Sequence, residues 1–275
     1  MEIGKNFKNV DSYNNEMGKV MNDKLFFLNE IEDMNDIAAI VDFGCADGRM
    51  VSELFKHTND DCLLIGYDIS DSMIGFAKSN FPYETNRVVF TNKWQNVENL
   101  INTMDGEGKT MLVLSSVIHE VYSYQNPDNP DTNIDEFWRR VFGTNFDYIV
   151  IRDMMPSEDI KRPTDIYDLH HVLNDLALSG YIKSFQERWG DMQKNLNFVH
   201  FLLKHKWTIN WEREVNENYF PLFLENIILL IQRNARYNIT YLKRFCPLRD
   251  VVKERFNFTM VDDTHVKIIL KRRMS

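Results

Sequence analysis

The amino-acid sequence predicts an α/β fold with a mostly parallel sheet and helices on both of its faces. Short apolar runs, several of them nearly continuous, alternate with segments in which apolar residues recur at helical spacing. Strands that are apolar along their whole length are typical of parallel sheets buried between two layers of helices. The chain has 275 residues, of which 44% are hydrophobic and 27% charged, so it can form one sheet-based core that carries an insertion.

The predicted elements follow one another in the order that such a sheet requires. Seven strands are expected, at residues 38–43, 62–68, 87–90, 110–114, 146–152, 237–245 and 266–270. Three helices between them are expected at residues 50–57, 72–79 and 223–234. Roughly 65 residues separate the fifth strand from the last of these helices, which is more than a sheet connection needs and is typical of a functional insert.

A glycine-bearing turn follows the first predicted strand. Residues 41–48 are Val-Asp-Phe-Gly-Cys-Ala-Asp-Gly, and Asp68 ends the second strand about twenty residues after the turn. This pattern resembles the class I S-adenosylmethionine-dependent methyltransferases, in which an acidic residue and a GxGxG turn follow strand one and a second acid ends strand two. Ala46 stands in place of the middle glycine, and we expect it to adopt a negative φ.

The resemblance implies a Rossmann-like, mostly parallel seven-stranded sheet with an antiparallel last strand, and S-adenosylmethionine as the cofactor. Gly44 and Gly48 would let the backbone approach the amino-acid part of the cofactor, near Asp42, while Asp68 would accept hydrogen bonds from both ribose hydroxyls. The predicted cofactor-binding residues are Asp42, Gly44, Cys45, Ala46, Gly48, Asp68, Ile69, Asn92 and Ser115. A tight turn in a sheet that binds no ligand is the alternative interpretation.

Some of these positions follow the family pattern more loosely. Asn92 ends the third strand, where a polar side chain would meet the adenine amine, with Ile69 or Trp94 against the ring. Ser115 ends the fourth strand, near the sulfonium. A leading helix could bring Tyr13, Met17 and Lys24 over the cofactor, although packing of that helix on the sheet explains them equally well.

The carboxyl ends of the fourth and fifth strands hold the candidate catalytic residues, because open α/β sheets bind ligands at that edge. His119 is the candidate general base, since imidazole titrates near neutral pH. Arg152 and Asp153 could hold a phosphate or amine of the methyl acceptor, or could form a structural ion pair with each other. For His265 with Asp263 a structural role is favoured.

No metal site is predicted. The three cysteines form no CxxC pair, and no Cys/His cluster has the spacing of a zinc site. His170 and His171 lack a carboxylate at metal spacing, so surface or packing roles are expected for them. An odd and sparse set of cysteines, a polar N-terminus without the core of a signal peptide, and no membrane-spanning stretch together predict a cytoplasmic protein.

Charge is distributed unevenly along the chain. Residues 1–182 contain 15 Lys/Arg against 31 Asp/Glu, a balance of −16, whereas residues 233–275 contain 11 against 4, a balance of +7. The basic C-terminal third predicts a polyanionic partner, or else it faces acidic surfaces of the same protein. The insert mixes basic and aromatic residues around residues 200–213, which suits a nucleic-acid surface, although the aromatic residues fit one face of a docked helix better.

These observations give an expected organisation and an expected function. Residues 1–154 would form a leading helix and the cofactor-binding half, residues 155–218 a helical insert or lid that recognises the acceptor, and residues 219–275 the rest of the core. The expected function is a methyltransferase that acts on RNA or another nucleic acid. The alternatives are a small-molecule methyltransferase with the insert as its lid, and a non-catalytic cofactor-binding partner subunit.

Overall fold

A computed structural model describes residues 21–273 of the chain, apart from Asp33, Asp105 and Pro130. Tyr13 and Met17, which the sequence offered as cofactor contacts, lie outside the described residues. Seven strands form one sheet in the order β3-β2-β1-β4-β5-β7-β6. Their bounds are β1 Ile37–Phe43, β2 Leu63–Tyr67, β3 Val88–Thr91, β4 Lys109–Ser115, β5 Tyr148–Met154, β6 Tyr237–Phe245 and β7 His265–Arg272.

The sheet is parallel except at one strand. The pairs β1–β2, β2–β3, β1–β4 and β4–β5 are parallel, whereas β7 runs antiparallel to both β5 and β6. The predicted α/β class, the seven strands and the antiparallel last strand are therefore confirmed. The buried strands are apolar because helices cover both faces; β5, for example, has no exposed residue along its whole length.

Twelve α-helices lie among the described residues. Their bounds are α1 Met21–Lys24, α2 Arg49–His57, α3 Asp71–Asn80, α4 Trp94–Thr103, α5 Ile118–Ser123, α6 Ile134–Gly143, α7 Ile166–Leu173, α8 Ser179–Trp189, α9 Asn195–Lys204, α10 Trp211–Glu214, α11 Leu224–Asn234 and α12 Arg249–Phe256. The three predicted helices correspond to α2, α3 and α11. The hydroxyl of Ser70 caps α3 by accepting a hydrogen bond from the Met73 amide.

Two hydrophobic clusters cover the two faces of the sheet. On one face, helices α4, α6 and α11 pack through Trp94, Phe137 and Ile227. On the other face, α2 and α3 pack through Leu54 and Ile74. Side chains of successive strand residues point to opposite faces, so each central strand contributes to both clusters and fixes the helices around it.

The insert has a third hydrophobic cluster of its own. Residues between 154 and 220 contribute to it, including Phe185, Phe198 and Phe201. Residues 246–260, which connect β6 to β7, pack into the same cluster through Val252 and Phe256. The insert is thus a helical layer built from two separate segments of the chain. No described helix is long and apolar enough to cross a membrane.

Candidate active site

The glycine turn after β1 lies where the strand order reverses, since β1 has β2 on one side and β4 on the other. A crevice opens at such a switch point in an open α/β sheet. Gly44 and Gly48 have φ values of +76° and +79°, which favour glycine. A Cβ atom on Gly44 would lie 2.7 Å from Cγ2 of Val117, so that position admits no side chain. The glycine is needed for the packing of the turn against Val117, and Gly44 also lines the cavity described below.

Ala46 contradicts the sequence prediction for its backbone. We expected a negative φ, but the residue lies in the left-handed region with φ of +45°. Its amide donates a hydrogen bond of 3.0 Å to Oδ2 of Asp68, which helps hold the turn in this conformation. The middle position of the turn thus keeps the geometry of a glycine despite its side chain, at a cost of about 1–2 kcal/mol.

Asp68 stands at the tip of β2, opposite the turn. Its Oδ1 accepts a hydrogen bond of 2.9 Å from the amide of Ser70, and its Oδ2 is held by Ala46. Burial raises the pKa of Asp68 to about 6, and the two backbone hydrogen bonds lower it only in part. A carboxylate accepts about four hydrogen bonds, so both oxygens retain capacity for a ligand.

A cavity lies between the turn, the ends of β1, β2 and β4, and the insert. Of the predicted cofactor-binding residues, seven line it: Asp42, Gly44, Cys45, Ala46, Asp68, Ile69 and Ser115. Gly48 shapes the turn and begins α2 without lining the cavity. Ser115 has a buried hydroxyl with no hydrogen-bond partner among the described residues. Such a group is costly unless something in the cavity binds it.

Asn92 and Trp94 lie away from this cavity. The Asn92 amide donates to Oδ1 of Asp71 at 2.5 Å and is not part of the cavity wall. Trp94 is buried in the core against Phe43 and Tyr67. Of the three residues predicted to contact adenine, Ile69 lines the cavity, whereas Asn92 and Trp94 do not. Asn92 and Trp94 follow β3, which is the edge strand and is separated from β1 by β2.

Two opposite charges face the cavity where the turn begins. Burial raises the pKa of Asp42 to about 7, although the nearby Lys24 amine lowers it in part. Burial and the Arg152 guanidinium lower the pKa of Lys24 to about 8, against the attraction of Asp42. Both side chains line the cavity and are over 90% buried. They form a buried pair able to meet a ligand that carries both charges.

His119 and Asp153 form a hydrogen-bonded pair behind the cavity wall. His119 Nδ1 lies 2.7 Å from Asp153 Oδ1, and the carboxylate also accepts from the amides of Ile118 and Met154, each at 2.7 Å. Burial lowers the pKa of His119, but the Asp153 charge outweighs it, so the pKa lies above its usual value. Neither residue lines the cavity. The structure therefore brings this pair together beside the cavity rather than in it.

Arg152 and Asp153 do not pair with each other, contrary to the structural alternative drawn from the sequence. Consecutive strand residues point to opposite faces, so Arg152 lies on the side away from Asp153. Its Nε donates to Oδ2 of Asp23 at 2.7 Å, and its Nη1 donates to the Ser116 hydroxyl at 3.1 Å. His265 pairs with the Thr264 hydroxyl, whereas Asp263 binds Arg249, so the expected interaction of His265 with Asp263 is absent among the described residues.

A charged cluster on the insert side of the cavity was not predicted. Arg213 Nη2 lies 2.9 Å from Glu120 Oε1 and 2.6 Å from Glu217 Oε1, and the Tyr124 hydroxyl donates to Glu217 Oε1 at 2.8 Å. Glu120, Tyr124 and Arg213 line the cavity. Burial raises the pKa of Glu217 to about 7, with Arg213 opposing the effect. The i,i+4 spacing of Arg213 and Glu217 was a usable signal, but the link to Glu120 spans 93 residues.

Much of the basic C-terminal third is neutralised within the chain. Ion pairs join it to the acidic part of the sequence: Arg255 with Asp175 at 2.9 Å, Arg272 with Asp147 at 2.7 Å, and Lys267 with Asp23. The aromatic residues of α9 are buried in the insert, so the core interpretation holds for them. Five cations do line one groove, with Asp147 and Tyr148, at the edge of the sheet opposite the cavity: Lys109, Arg236, Lys271, Arg272 and Arg273.

Comparison with known proteins gives structural likeness at low sequence identity. No protein-family model and no curated protein sequence matches the chain significantly. A cyclopropane synthase from Mycobacterium tuberculosis is similar with a TM-score of 0.49 and 11% identity, covering 97% of this chain and 88% of that one. A plantazolicin methyltransferase is similar with a TM-score of 0.48 and 11% identity, covering 94% and 88%. An S-adenosylmethionine-dependent methyltransferase from Mesorhizobium loti is similar with a TM-score of 0.46 and 14% identity, covering 90% and 96%.

The fold conclusion stands on the chain's own topology. The sheet has the seven strands and the antiparallel β7 that the resemblance implied, and its strand order reverses at β1. The glycine turn and Asp68 occupy the carboxyl ends of β1 and β2, as the same resemblance requires. The chain therefore has the Rossmann-like fold of the class I methyltransferases.

Proposed function

We propose that this protein is an S-adenosylmethionine-dependent methyltransferase. One observation carries the proposal: the glycine turn and the Asp68 carboxylate, joined by the Ala46 amide, together line one cavity at the switch point of the sheet. That arrangement suits a ligand with a ribose at one end and an amino-acid group at the other. The cofactor, when bound, supplies a methyl group activated by its sulfonium.

The residues of the cavity fit the parts of this cofactor. Asp68 retains hydrogen-bond capacity on both oxygens, which suits two ribose hydroxyls. Asp42 and Lys24 are a carboxylate and an amine in one wall, which suits the ammonium and carboxylate of an amino-acid group. The buried Ser115 hydroxyl lies at the end of β4, between these groups and the insert, where it can donate to a bound molecule.

For the acceptor we propose a small polar molecule held between the cofactor and the insert. Glu120, Tyr124 and Arg213 offer an acceptor, a hydroxyl and a donor in the same wall. The ion pairs of Arg255, Lys267 and Arg272 with the acidic part of the chain reduce the positive charge that the C-terminal third could offer to a nucleic acid. The insert would then act as a lid, as in the alternative drawn from the sequence.

A nucleic-acid acceptor is the second candidate, and the groove of five cations at the opposite edge of the sheet favours it. Such a polymer would have to reach around the molecule to enter the cavity. Its binding would weaken steeply with salt, because phosphate contacts release counterions, whereas binding of a small acceptor would change little. Salt titration of acceptor binding separates the two candidates.

His119, Arg152 and Asp153 receive positioning roles in this proposal. Asp153 orients the imidazole of His119, and Arg152 holds the Ser116 hydroxyl beside the cavity. Methyl transfer from a sulfonium needs little acid–base help, since in-line alignment supplies most of the rate. If His119 is a general base instead, His119→Ala will abolish turnover while leaving cofactor affinity intact.

The proposal is tested by calorimetric titration with S-adenosylmethionine and with its demethylated product. We expect both to bind the wild-type chain, and Asp68→Ala to weaken binding by about 1.5–3 kcal/mol because charge-assisted hydrogen bonds are lost. Asp61→Ala removes an exposed carboxylate just before β2 and should leave the affinity unchanged. Absence of cofactor binding by the wild type would refute the proposal. Binding without methyl transfer to any acceptor would instead indicate a non-catalytic partner subunit.

A further inference from the structure

Three metal-binding side chains from two distant segments converge beside the cavity. His119 and Glu120 belong to α5, and Glu217 follows α10 in the insert. One ligand atom of each lies within 4.8 Å of the other two. Within the described part of the chain, no hydrogen bond joins any two of these side chains. They are therefore close together without being one another's partners.

The histidine is oriented as a metal ligand is. Asp153 Oδ1 lies 2.7 Å from His119 Nδ1, and backbone amides hold that carboxylate in place. A carboxylate at Nδ1 favours the tautomer with the proton there, which leaves the Nε2 lone pair to bind something else. Metal-binding histidines almost always have such a carboxylate or carbonyl on the other ring nitrogen. His119 is 5% exposed, and the ring nitrogen that binds Asp153 is Nδ1, on the other side of the ring from Nε2.

Each of the two glutamates, Glu120 and Glu217, is held through its Oε1 atom. Arg213 contacts Oε1 of both Glu120 and Glu217, and the Tyr124 hydroxyl donates to the same oxygen of Glu217. Hydrogen bonds on the outer oxygens of ligating carboxylates are a recurring feature of metal sites. The guanidinium thus orients the two carboxylates beside His119.

The local charge balance calls for a cation. Four buried or half-buried carboxylates, Asp153, Glu120, Glu214 and Glu217, lie in or beside the cluster, against the three cations Arg213, Lys204 and Lys24, the last of which also interacts with Asp42. Buried charges that remain uncompensated cost several kcal/mol, so a further positive charge would stabilise the site.

We propose that His119, Glu120 and Glu217 bind a divalent metal ion on the acceptor side of the cavity. One imidazole nitrogen and two carboxylate oxygens form a mixed set that suits a first-row ion such as Mn²⁺ better than Mg²⁺, which prefers oxygen alone. Glu120 lines the cavity, so the ion would stand where an acceptor oxygen or nitrogen could complete its coordination. This site is additional to the cofactor site and does not depend on it.

The test is a titration of the chelator-treated full chain with Mn²⁺ in the absence of cofactor, with free Mn²⁺ followed by electron paramagnetic resonance. We expect one bound ion per chain. Glu217→Gln and His119→Gln should each weaken binding at least about tenfold, since a ligand matters no less than its supporting partner. Glu212→Gln is the matched control, because it removes an exposed charge from the same segment and should leave binding unchanged.

Thermal unfolding of each variant shows whether it folds, and Glu120→Gln supplies a less buried ligand variant should the other two fail. A wild type that binds no Mn²⁺, or ligand variants that bind as well as the control, would overturn the inference. Methyl transfer by a chain that binds no metal ion would leave the proposed function intact. Metal binding by a chain that does not bind the cofactor would leave this site intact and refute the function.

Discussion

The cavity has two walls that are built in different ways. The wall around Gly44 and Asp68 is made by backbone geometry and by the carboxylates of Asp42, Asp47 and Asp68, all within residues 42–68. The opposite wall is made by side chains of Glu120, Tyr124 and Arg213, which ion pairing joins across 93 residues of sequence. A backbone wall depends on φ angles and small residues, whereas a side-chain wall depends on buried charges that must all be present together.

The largest effect is expected where the side-chain wall loses its central cation. Arg213 is 6% exposed and contacts Glu120, Glu214 and Glu217. Arg213→Ala leaves these carboxylates buried without their partner, and removing one member of a buried ion pair costs about 3–5 kcal/mol. Urea unfolding should show this loss, while Arg188→Ala, an exposed position in α8, should leave the midpoint unchanged. Equal midpoints for the two variants would mean that the cluster is not a buried ionic unit.

The backbone wall should break at Gly44. Gly44→Ala places a Cβ 2.7 Å from Val117 Cγ2 at a φ of +76°, so overpacking and the left-handed backbone together cost about 2–4 kcal/mol. Gly75→Ala is the matched control, because nothing lies within 4 Å of a Cβ there and the residue is inside α3. That control should stabilise the protein slightly. Calorimetry should also show weaker cofactor binding by Gly44→Ala alone.

The sequence predicts the backbone wall better than it predicts the side-chain wall. The positions of the strands and of the turn follow from local patterns, because a buried strand, a glycine turn and an acid twenty residues later can all be recognised along the chain. The cluster of Arg213 and Glu217 with Glu120 is not readable, since only the packing of the insert on the sheet brings these residues together. Ala46 shows the limit of local reasoning, because the hydrogen bond to Asp68 holds it in a backbone region that alanine disfavours.

The next prediction concerns the pH dependence of cofactor binding, which tests the carboxylates of the backbone wall. Burial raises the pKa of Asp68 to about 6, so its carboxylate is ionised above pH 7 and increasingly protonated below pH 6. The contribution of Asp68 to cofactor affinity should therefore be level above pH 7 and fall by about tenfold, or ~1.4 kcal/mol, for each pH unit well below 6. Asp68→Asn should flatten that part of the profile. Asp42, with a pKa raised to about 7, also titrates in this range. The pH profile of Asp42→Asn shows how much of the change in cofactor affinity is due to Asp42.

The same raised pKa has an opposite consequence for the protein without ligand. The folded chain holds the Asp68 proton more tightly than the unfolded chain, so this group's contribution to the free energy of unfolding falls as pH rises from about 4 to about 6. Opposite slopes for ligand affinity and for the difference in stability between the wild type and Asp68→Asn would assign both to one carboxylate. Parallel slopes would contradict the assignment of Asp68 to the ribose.

The smallest effect is expected from relieving the strained alanine. Ala46→Gly removes about 1–2 kcal/mol of left-handed strain and costs about 0.4–1 kcal/mol in the entropy of the unfolded chain, for a net gain of roughly 0.5–1 kcal/mol. Ala235 has a φ of +57° at the end of α11, far along the chain from the turn, so Ala235→Gly should give a similar gain in thermal unfolding. Only Ala46→Gly should alter cofactor affinity, because only Ala46 lines the cavity and binds Asp68 through its amide. If both variants stabilise the fold and neither changes affinity, the methyl group of Ala46 has no part in the backbone wall.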